Sequence, residues 1–411
     1  MRNAPLDGVR GLASLMVAVC HFVTGFHWAL LNGEDRYSHF AGDTAISHSF
    51  LVFFFNPDLG VAIFFVLSGY VLAASVARDP PPWPALAVRR WIRLSLPILA
   101  TSILIWLTAR AGGFHSTAAA ELANSDWLKS QYGFLDTNPI GLWILARDSL
   151  FSFLTSVPQG GGAVRLYNSN SWTMPIEMIG SLALYAAYCV FGDLACRARG
   201  CLGAAGIAVV ITYNTPFDGF GGGIALFELG RAIQLLPSER RAQLAHAAAP
   251  FGAVAIVLGV WLGGTPFNID LPGNGAYARA AKFLFNYVAS PITQMHHAGA
   301  ILIVAAALTL RSLQRVLSTR PCQYLGRISF MMYLVQIPVL CSVGAYVVLG
   351  ATRAAGYNPA TLLALAAYLA ATILIAHVTT AAIDVPSIRL SRIIGARITL
   401  GRRALAVQPN G

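Results

Sequence analysis

The sequence predicts an all-α polytopic membrane protein, and three observations lead to that class. Of the 411 residues, 56% are hydrophobic and only 11% are charged, and the mean hydropathy is +0.62. Soluble domains carry about 25% charged residues, enough to cover a surface that faces water. Apolar stretches of roughly twenty residues, the length that crosses a bilayer, recur along the chain. Most of the protein surface is therefore expected to face lipid.

Ten apolar stretches are candidates for spanning helices. They lie near residues 10–31, 51–77, 91–110, 172–192, 201–214, 221–236, 249–264, 296–311, 328–350 and 361–383. An eleventh stretch, 140–157, is less apolar and carries Arg147 and Asp148. The first stretch has Asp7 and Arg10 at its edge and continues to about Leu31, which is typical of a retained helix rather than a cleaved signal.

The positive charges predict the topology. If the N-terminus is cytoplasmic and 140–157 does not span, 19 of the 28 Lys and Arg residues lie in inner segments and eight in outer segments. Counting 140–157 as a span would move four arginines outside, against the positive-inside rule. Both termini are therefore predicted to be cytoplasmic. The predicted organisation is a transmembrane domain over 1–385, with an outer region at 111–171 that holds a re-entrant or surface helix near 140–157, and a basic cytoplasmic tail at 386–411.

The net charge of +11 does not indicate a nucleic-acid partner, because the arginines lie in short segments between apolar stretches. That placement is typical of membrane topology and of contact with anionic lipid headgroups. The six cysteines show no metal-ligand spacing, and the adjacent His296 and His297 lack further ligands nearby. No metal site is therefore predicted.

Arg10 and His21 are eleven residues apart on the first predicted helix. That spacing is three turns plus about 20°, so both side chains lie on one helix face. The rise of about 16 Å carries His21 from the inner interface to about mid-bilayer. Two interpretations fit His21: a general base, or a polar group hydrogen-bonded between packed helices. Arg10 likewise fits either a site residue or a topology anchor.

Five motifs follow one another along the chain. They are LDGVRGLA at 6–13, GVAIFFVLSGY at 60–70, RRWIRL at 89–94, SWTMPIE at 171–177 and LGRISFMMYL at 325–334. In these motifs and their order the chain resembles the membrane-bound acyltransferase-3 family, which O-acylates bacterial surface polysaccharides, other glycans or small molecules. The resemblance extends from the first helix to about residue 338, and it implies a multi-pass protein of a bacterial inner membrane.

The resemblance also implies the substrates. The donor is expected to be acyl-CoA, acetyl-CoA by default, acting as a co-substrate with no permanently bound cofactor. Arg90 and Arg93, one turn apart on the third helix, are expected to bind its phosphates with the help of Arg10, the alternative being positive-inside anchoring. His21 is expected either to deprotonate the acceptor hydroxyl or to take the acyl group first. The expected acceptor is an extracytoplasmic glycan.

Glu177 is the second catalytic candidate, either binding the sugar or orienting His21, and the alternative is a neutral buried Glu bonded to a helix backbone. Four further motif residues are expected in the pocket: Ser68, Tyr70, Trp172 and Tyr333. Ser68 and Tyr70 are able to donate hydrogen bonds to a thioester oxygen, although Ser-Gly is also typical of close helix packing.

Three positions depart from the family pattern. Ala62 and Met178 stand where family members often have acidic residues, and Gln336 stands where they often have His. The resemblance therefore leaves His21 as the single membrane histidine for acid–base work.

Two other functions stay open from the sequence. A transporter or flippase of a glycan or small molecule has the same helix count and intramembrane histidine, but performs no covalent chemistry. A sensor or scaffold subunit predicts no dependence on acyl-CoA. The cytoplasmic arginines and the ordered motifs favour the enzyme, while the acyl group, the acceptor and the oligomeric state, a homo-oligomer included, stay open.

Overall fold

The computed structural model describes residues 3–77, 81–132, 141–152, 168–191, 217–270, 273–285, 288 and 290–407, and within them all regular secondary structure is helical, with no β-strand. The α-helices in these ranges are α1 (Ala4–Phe26), α2 (Ala29–Asn32), α3 (Asp43–Ser47), α4 (Pro57–Val76), α5 (Trp83–Arg110), α6 (Ser116–Ala123), α7 (Asp126–Ser130), α8 (Leu142–Arg147), α9 (Met174–Phe191), α10 (Asp218–Gln234), α11 (Ser238–Gly263), α12 (Gly275–Phe285), α13 (Pro291–Thr309), α14 (Arg311–Leu317), α15 (Arg320–Val339), α16 (Ala345–Ala355), α17 (Tyr357–Thr379) and α18 (Val385–Val407).

Eight segments of the described chain are long and apolar enough to cross a membrane. They are Ala4–Phe26, Pro57–Val76, Trp83–Arg110, Ser169–Phe191, Ser238–Gly263, Pro291–Thr309, Arg320–Ala355 and Tyr357–Leu400. Of the other two predicted spans, 201–214 lies outside the described residues and 221–236 corresponds to α10, which has 17 residues. Large apolar side chains such as Val257, Leu362 and Leu374 are more than 60% exposed, as lipid-facing residues are. The fold is therefore an all-α multi-pass membrane protein, which confirms the predicted class.

Helix α1 runs through the bundle between α4, α15 and α17. Its start is capped by Asn3, whose side chain accepts a hydrogen bond from the Leu6 N–H. Its contact with α15 is close because Gly11 and Gly326 meet: a Cβ at Gly11 would lie 2.8 Å from Cβ of Leu325. Small residues allow helix backbones to approach in this way. The approach places Arg10 beside the motif at 325–334.

The stretch predicted as a re-entrant or surface helix begins with α8 and a π-helical turn, Asp148–Ser152. It packs against α5, where Trp91 Nε1 donates a 2.9 Å hydrogen bond to the Leu150 carbonyl. Residues 153–157 of the predicted helix lie outside the described ranges. The described part therefore lies alongside the first half of α5, and it is not among the eight candidate spans.

Two long helices each contain a π-helical turn next to a proline. Pro338 lies just before the turn Leu340–Gly344, and Pro386 lies just after the turn Thr380–Asp384. Proline cannot donate an N–H to the helical ladder, and π turns are common where that ladder is interrupted. Because α17, the second turn and α18 form one continuous helix, the boundary predicted at 385 falls inside a helix.

Candidate active site

A cavity of about 720 Å³ lies at the end of the bundle where α1 begins and α17 passes into α18. Its polar lining comprises Asn3, Asp7, Arg10, Ser68, Tyr70, Ser75, Arg90, Arg93, Thr173, Glu177, Arg327, Ser329, Tyr333, Thr380, Asp384 and Arg392. Cavities of this volume accommodate small-molecule and cofactor ligands. Asn3 and Arg392 both line this cavity. The start of α1 and the part of α18 around Arg392 therefore lie at the same end of the bundle. An even number of membrane spans between them requires this arrangement.

The cavity is buried at one end and open at the other. Thr173, Glu177 and Tyr333, at its closed end, are each less than 10% exposed. Arg327 and Arg392 are exposed and lie at its mouth. The lining therefore changes from buried polar side chains at the closed end to exposed arginines at the mouth.

Glu177 lies at the closed end and is held by two side chains from other helices. Arg90 Nη2 donates a short hydrogen bond to Glu177 Oε2, and the two side chains form an ion pair. Ser68 Oγ donates a 2.8 Å hydrogen bond to Glu177 Oε1. The predicted pocket residue Ser68 thus binds the Glu177 carboxylate. Within the described chain the side-chain partners of Glu177 are Arg90 and Ser68, and His21 is not one of them.

The other two predicted donor-binding arginines also lie in the cavity near carboxylates. Arg10 Nη1 donates a 2.8 Å hydrogen bond to Asp7 Oδ1 one turn earlier on α1. Arg93 shares a face of α5 with Arg90, and it interacts electrostatically with Asp384 of the π turn. Arg93 is also part of the cavity lining. The structure therefore brings all three arginines to one cavity.

An aromatic contact closes the inner end of the cavity. The Tyr333 hydroxyl and Thr173 Oγ1 are 3.0 Å apart in a hydrogen bond, and Phe64 packs edge-on against the Tyr333 ring at 5.9 Å between ring centroids. All three residues line the cavity. Tyr70, another predicted pocket residue, lines the same wall and packs edge-on against Phe227 at 5.6 Å.

Two buried asparagines hold the start of α9 in place. Asn170 Nδ2 donates a 2.7 Å hydrogen bond to the Tyr333 carbonyl, and Asn168 Nδ2 donates a 2.9 Å hydrogen bond to the Leu334 carbonyl. These bonds fix the turn Ser169–Thr173 against α15 and so position Thr173 and Glu177. Trp172, predicted in the pocket, is instead 38% exposed and does not line the cavity.

His21 is partly buried and does not line the cavity. Its ring stacks on that of Trp127 in α7, with centroids 5.7 Å apart and an interplanar angle of 7°. The side chain of Gln336, one turn after Tyr333 on α15, interacts with His21. His21 Nδ1 and both polar atoms of the Gln336 amide are buried without a properly aligned hydrogen bond to the described chain. Buried polar groups are rarely left without a hydrogen-bond partner. The side chains of His21 and Gln336 are therefore able to receive a ligand hydroxyl.

Sequence reasoning missed Asp384, Arg327 and Arg392 in the cavity, and Trp127 beside His21. Asp384 was detectable, because an acidic residue at the end of the apolar stretch 361–383 is costly there without a function. Arg327 lay inside a motif but had been counted only toward topology. Trp127 gave no signal, since its contact with His21 depends on how α6 and α7 fold back onto α1.

A second polar cluster lies at the other end of α4. His296 Nε2 lies 2.9 Å from both Asn56 Nδ2 and the Thr265 carbonyl oxygen, and His297 Nδ1 lies 3.3 Å from Asp218 Oδ2. Within the described residues, no three His, Cys, Asp or Glu side chains are arranged to hold a metal ion. These contacts join α4, α10 and α13.

The fold and the cavity define a multi-pass membrane protein with a charged internal site open toward one end of its helix bundle. A family model described as an acyltransferase domain matches residues 3–381, nearly the whole chain. The chain belongs to the acyltransferase-3 family and is an acyltransferase that transfers groups other than aminoacyl groups. No curated protein matches it, and neither does any solved structure.

Proposed function

We propose that this enzyme transfers an acyl group, acetyl by default, from cytoplasmic acyl-CoA to a hydroxyl of an extracytoplasmic glycan, in a bacterial inner membrane. The observation that carries the proposal is the difference between the two ends of the cavity. At the closed end the charges of Arg90 and Glu177 balance each other, and at the mouth there are exposed arginines. The two ends of acyl-CoA differ in the same way, because its thioester arm is neutral and its nucleotide bears negatively charged phosphates. The arginine-rich end of the bundle is the cytoplasmic end under the positive-inside rule.

The arginines of α1 and α5 are proposed to bind the donor. Guanidinium groups bind phosphate through paired N–H donors. Arg93 and Arg10 lie on the wall beside the mouth and are proposed to contact the diphosphate. Arg90 is held by Glu177, but its Nε is buried and has no hydrogen-bond partner in the described chain. That N–H is available to an oxygen atom of the donor, so Arg90 is proposed to act at the thioester arm.

His21 is proposed to be the general base. The acceptor hydroxyl oxygen attacks the thioester carbonyl carbon, the C–S bond breaks, the hydroxyl proton passes to His21, and CoA leaves as a thiolate that is then protonated. Gln336 and His21 supply the unpartnered polar atoms that position the hydroxyl. His21 lies outside the cavity and interacts with Gln336, one turn beyond Tyr333 on α15. The acyl group is therefore proposed to reach His21 when the Tyr333–Thr173 contact opens. Glu177 is proposed to act with Arg90 on the donor side.

The acceptor is proposed to approach from the opposite side, next to Trp127. His21 is only partly buried, and its exposed surface does not face the donor cavity. The indole of Trp127, which stacks on the His21 ring, is proposed to stack also on the apolar face of a sugar ring. These two features together suit a glycan acceptor on the extracytoplasmic side.

The test is acyl transfer in vesicles reconstituted with the purified protein. Radiolabelled acetyl-CoA is supplied on one side and a panel of sugar acceptors on the other, and both labelled acceptor and released thiol are measured. We expect transfer by the wild type and a loss of about 100-fold or more with His21→Ala, the usual contribution of a general base. Acetyl-CoA binding should persist in this variant, because His21 does not line the cavity. His246→Ala, at an exposed histidine of α11, is the control.

Two results would contradict the proposal. A His21→Ala protein that transfers acetyl at the wild-type rate would remove His21 from the mechanism. A wild-type protein that leaves both acetyl-CoA and succinyl-CoA intact, but moves the sugar across the membrane, would show a transporter instead.

A further inference from the structure

The C-terminal helix supplies one wall of the cavity. Val385, Ile388 and Arg392 of α18 line it, together with Asp384 of the preceding π turn. Steps of three and four residues place these side chains on one face of a helix. The matched acyltransferase domain ends at residue 381, so this wall belongs to the part of the chain that follows the family domain.

Helix α18 is held against the body of the protein by α5. At Gly395 the side chain of Arg89 occupies the position that a Cβ would take, so the two helices approach closely there. Arg89 lies directly before Arg90. The contact therefore fixes the lining face of α18 relative to the arginines of the donor site, and the basic segment predicted as a tail is part of the cavity.

The arginines of the cavity fall into two groups. Arg10 and Arg90 form ion pairs with Asp7 and Glu177, and Arg93 interacts electrostatically with Asp384. Arg327 and Arg392, in contrast, form no ion pair within the described part of the chain.

These two arginines are exposed at the mouth. Exposed guanidinium groups that line one cavity and form no ion pair attract a phosphate dianion, which takes up several charge-assisted hydrogen bonds. Arg10 and Arg90 are already paired with carboxylates, so the rim offers an anion site that no carboxylate of the described chain occupies.

We propose that Arg392, together with Arg327, binds the 3′-phosphate of the acyl-CoA nucleotide. This inference rests on the proposed function and adds to it a recognition site built by the C-terminal helix. The 3′-phosphate is the charged group of acyl-CoA farthest from the thioester, so it belongs at the rim when the thioester points to the closed end. The diphosphate, nearer the thioester, then lies toward Arg93 and Arg10.

The test compares acetyl-CoA with 3′-dephospho-acetyl-CoA in nanodiscs of phosphatidylcholine, using binding affinity and KM as readouts. For Arg392→Ala we expect about a tenfold rise in KM for acetyl-CoA, the usual effect of losing one charge-assisted hydrogen bond. The KM for the dephospho donor should change little, because the lost partner is already absent, and kcat should be retained for both. Arg327→Ala should show the same selectivity, and Arg392→Lys should lie between wild type and Arg392→Ala.

The matched control is Arg397→Ala. Arg397 is an exposed arginine of the same helix, about 140° around the axis from Arg392, and it does not line the cavity. Its variant should bind and use both donors as the wild type does. Arg397→Ala also has the same net charge as Arg392→Ala, so it separates a specific contact from a general loss of positive charge.

Three results would overturn the inference while leaving acyl transfer intact. The first is equal behaviour of Arg392→Ala and Arg397→Ala. The second is an equal rise in KM for both donors, which would remove the 3′-phosphate from the contact. The third is an effect of Arg392→Ala that appears only when phosphatidylglycerol is added, which would assign the arginine to a lipid headgroup phosphate. A wild-type protein that neither binds nor consumes acetyl-CoA would instead overturn the proposed function itself.

Discussion

Arg90 and Glu177, 87 residues apart in the sequence, form an ion pair whose side chains are only 9% and 10% exposed. Burial of both charges is costly, and their mutual attraction offsets the cost only while both partners are present. Ser68 adds a hydrogen bond to the carboxylate. The closed end of the cavity is therefore polar but electrically compensated, which suits a neutral thioester arm better than a phosphate.

Glu177→Ala should destabilise the protein more than the loss of an exposed pair does. Removing one partner of a buried pair costs about 3–5 kcal/mol, because the other charge stays buried and unpaired. The double variant Glu177→Ala/Arg90→Met should recover much of that loss in stability without recovering acyl transfer. Denaturant unfolding in detergent measures the stability, and the vesicle assay measures transfer.

Glu34→Ala is the control for this experiment. Glu34 and Arg36 form an ion pair at 2.7 Å with side chains 48% and 68% exposed, and exposed pairs contribute about 0–1 kcal/mol. If Glu177→Ala lowered the free energy of unfolding no more than Glu34→Ala does, water in the cavity would have to solvate the Arg90–Glu177 pair.

The positions of the helices could be predicted because apolar length is a local property of the sequence. The predicted stretch 51–77 contains α4, and the predicted stretch 91–110 covers the last two-thirds of α5. The placement of Arg10, Arg90 and Arg93 at one site also follows from motifs carried on helices of known direction. The membrane class and the grouping of these three arginines are thus readable from the sequence.

The pairings within the site could not be predicted, since they depend on how helices align in depth. Glu177 was expected near the outer surface, at the start of its helix, but the bonds of Asn168 and Asn170 to α15 draw that start into the bundle. This depth brings Glu177 level with Arg90. Asp384, which lines the cavity, is the last residue of a π turn beside Pro386, and no apolar pattern records such a turn.

Tyr333 and Thr173 should show energetic coupling. Tyr333→Phe removes the 3.0 Å hydrogen bond and leaves the Thr173 hydroxyl buried without its partner, a loss of about 1–3 kcal/mol. Thr173→Val in the same protein removes the orphaned hydroxyl, so the double variant should be less destabilised than the sum of the two single variants. A double-mutant cycle on unfolding free energies measures this coupling. Additive effects would show that the two hydroxyls do not bond in the folded protein.

Gly326→Ala should destabilise the packing of α1 against α15. A Cβ at this position would lie 2.8 Å from the Asp7 carbonyl carbon, and the backbone of α1 is unable to yield without moving Arg10. Overpacking of this kind costs about 1–3 kcal/mol. Gly350→Ala, later in the same continuous helical segment, meets no atom within 4 Å and should be neutral or slightly stabilising. Thermal unfolding compares the two, and equal midpoints would contradict the close contact.

His27 should make the outer end of the first helix sensitive to acid. It follows the last residue of α1, and its Nε2 lies 2.9 Å from Thr361 Oγ1 of α17. Burial, with a smaller effect of the neighbouring His39 and against an opposing effect of Asp43, lowers the pKa of His27 from 6.5 to about 4. The folded protein therefore favours neutral His27, whereas the unfolded chain takes up a proton as the pH falls below 6.5.

The free energy of unfolding should then decrease between about pH 6.5 and pH 4, by on the order of 2–3 kcal/mol from this group. His27→Gln, which retains a hydrogen-bond donor for Thr361 but does not titrate, should flatten this part of the profile, while His246→Gln at the exposed histidine of α11 should leave it unchanged. Unfolding curves at half-unit pH intervals in detergent measure the effect. Because a lowered pKa destabilises the fold only on protonation, His27→Gln should differ from the wild type and from His246→Gln below pH 6.5, and all three profiles should be parallel above it. A His27→Gln profile as steep as that of the wild type would assign the acid sensitivity to another group.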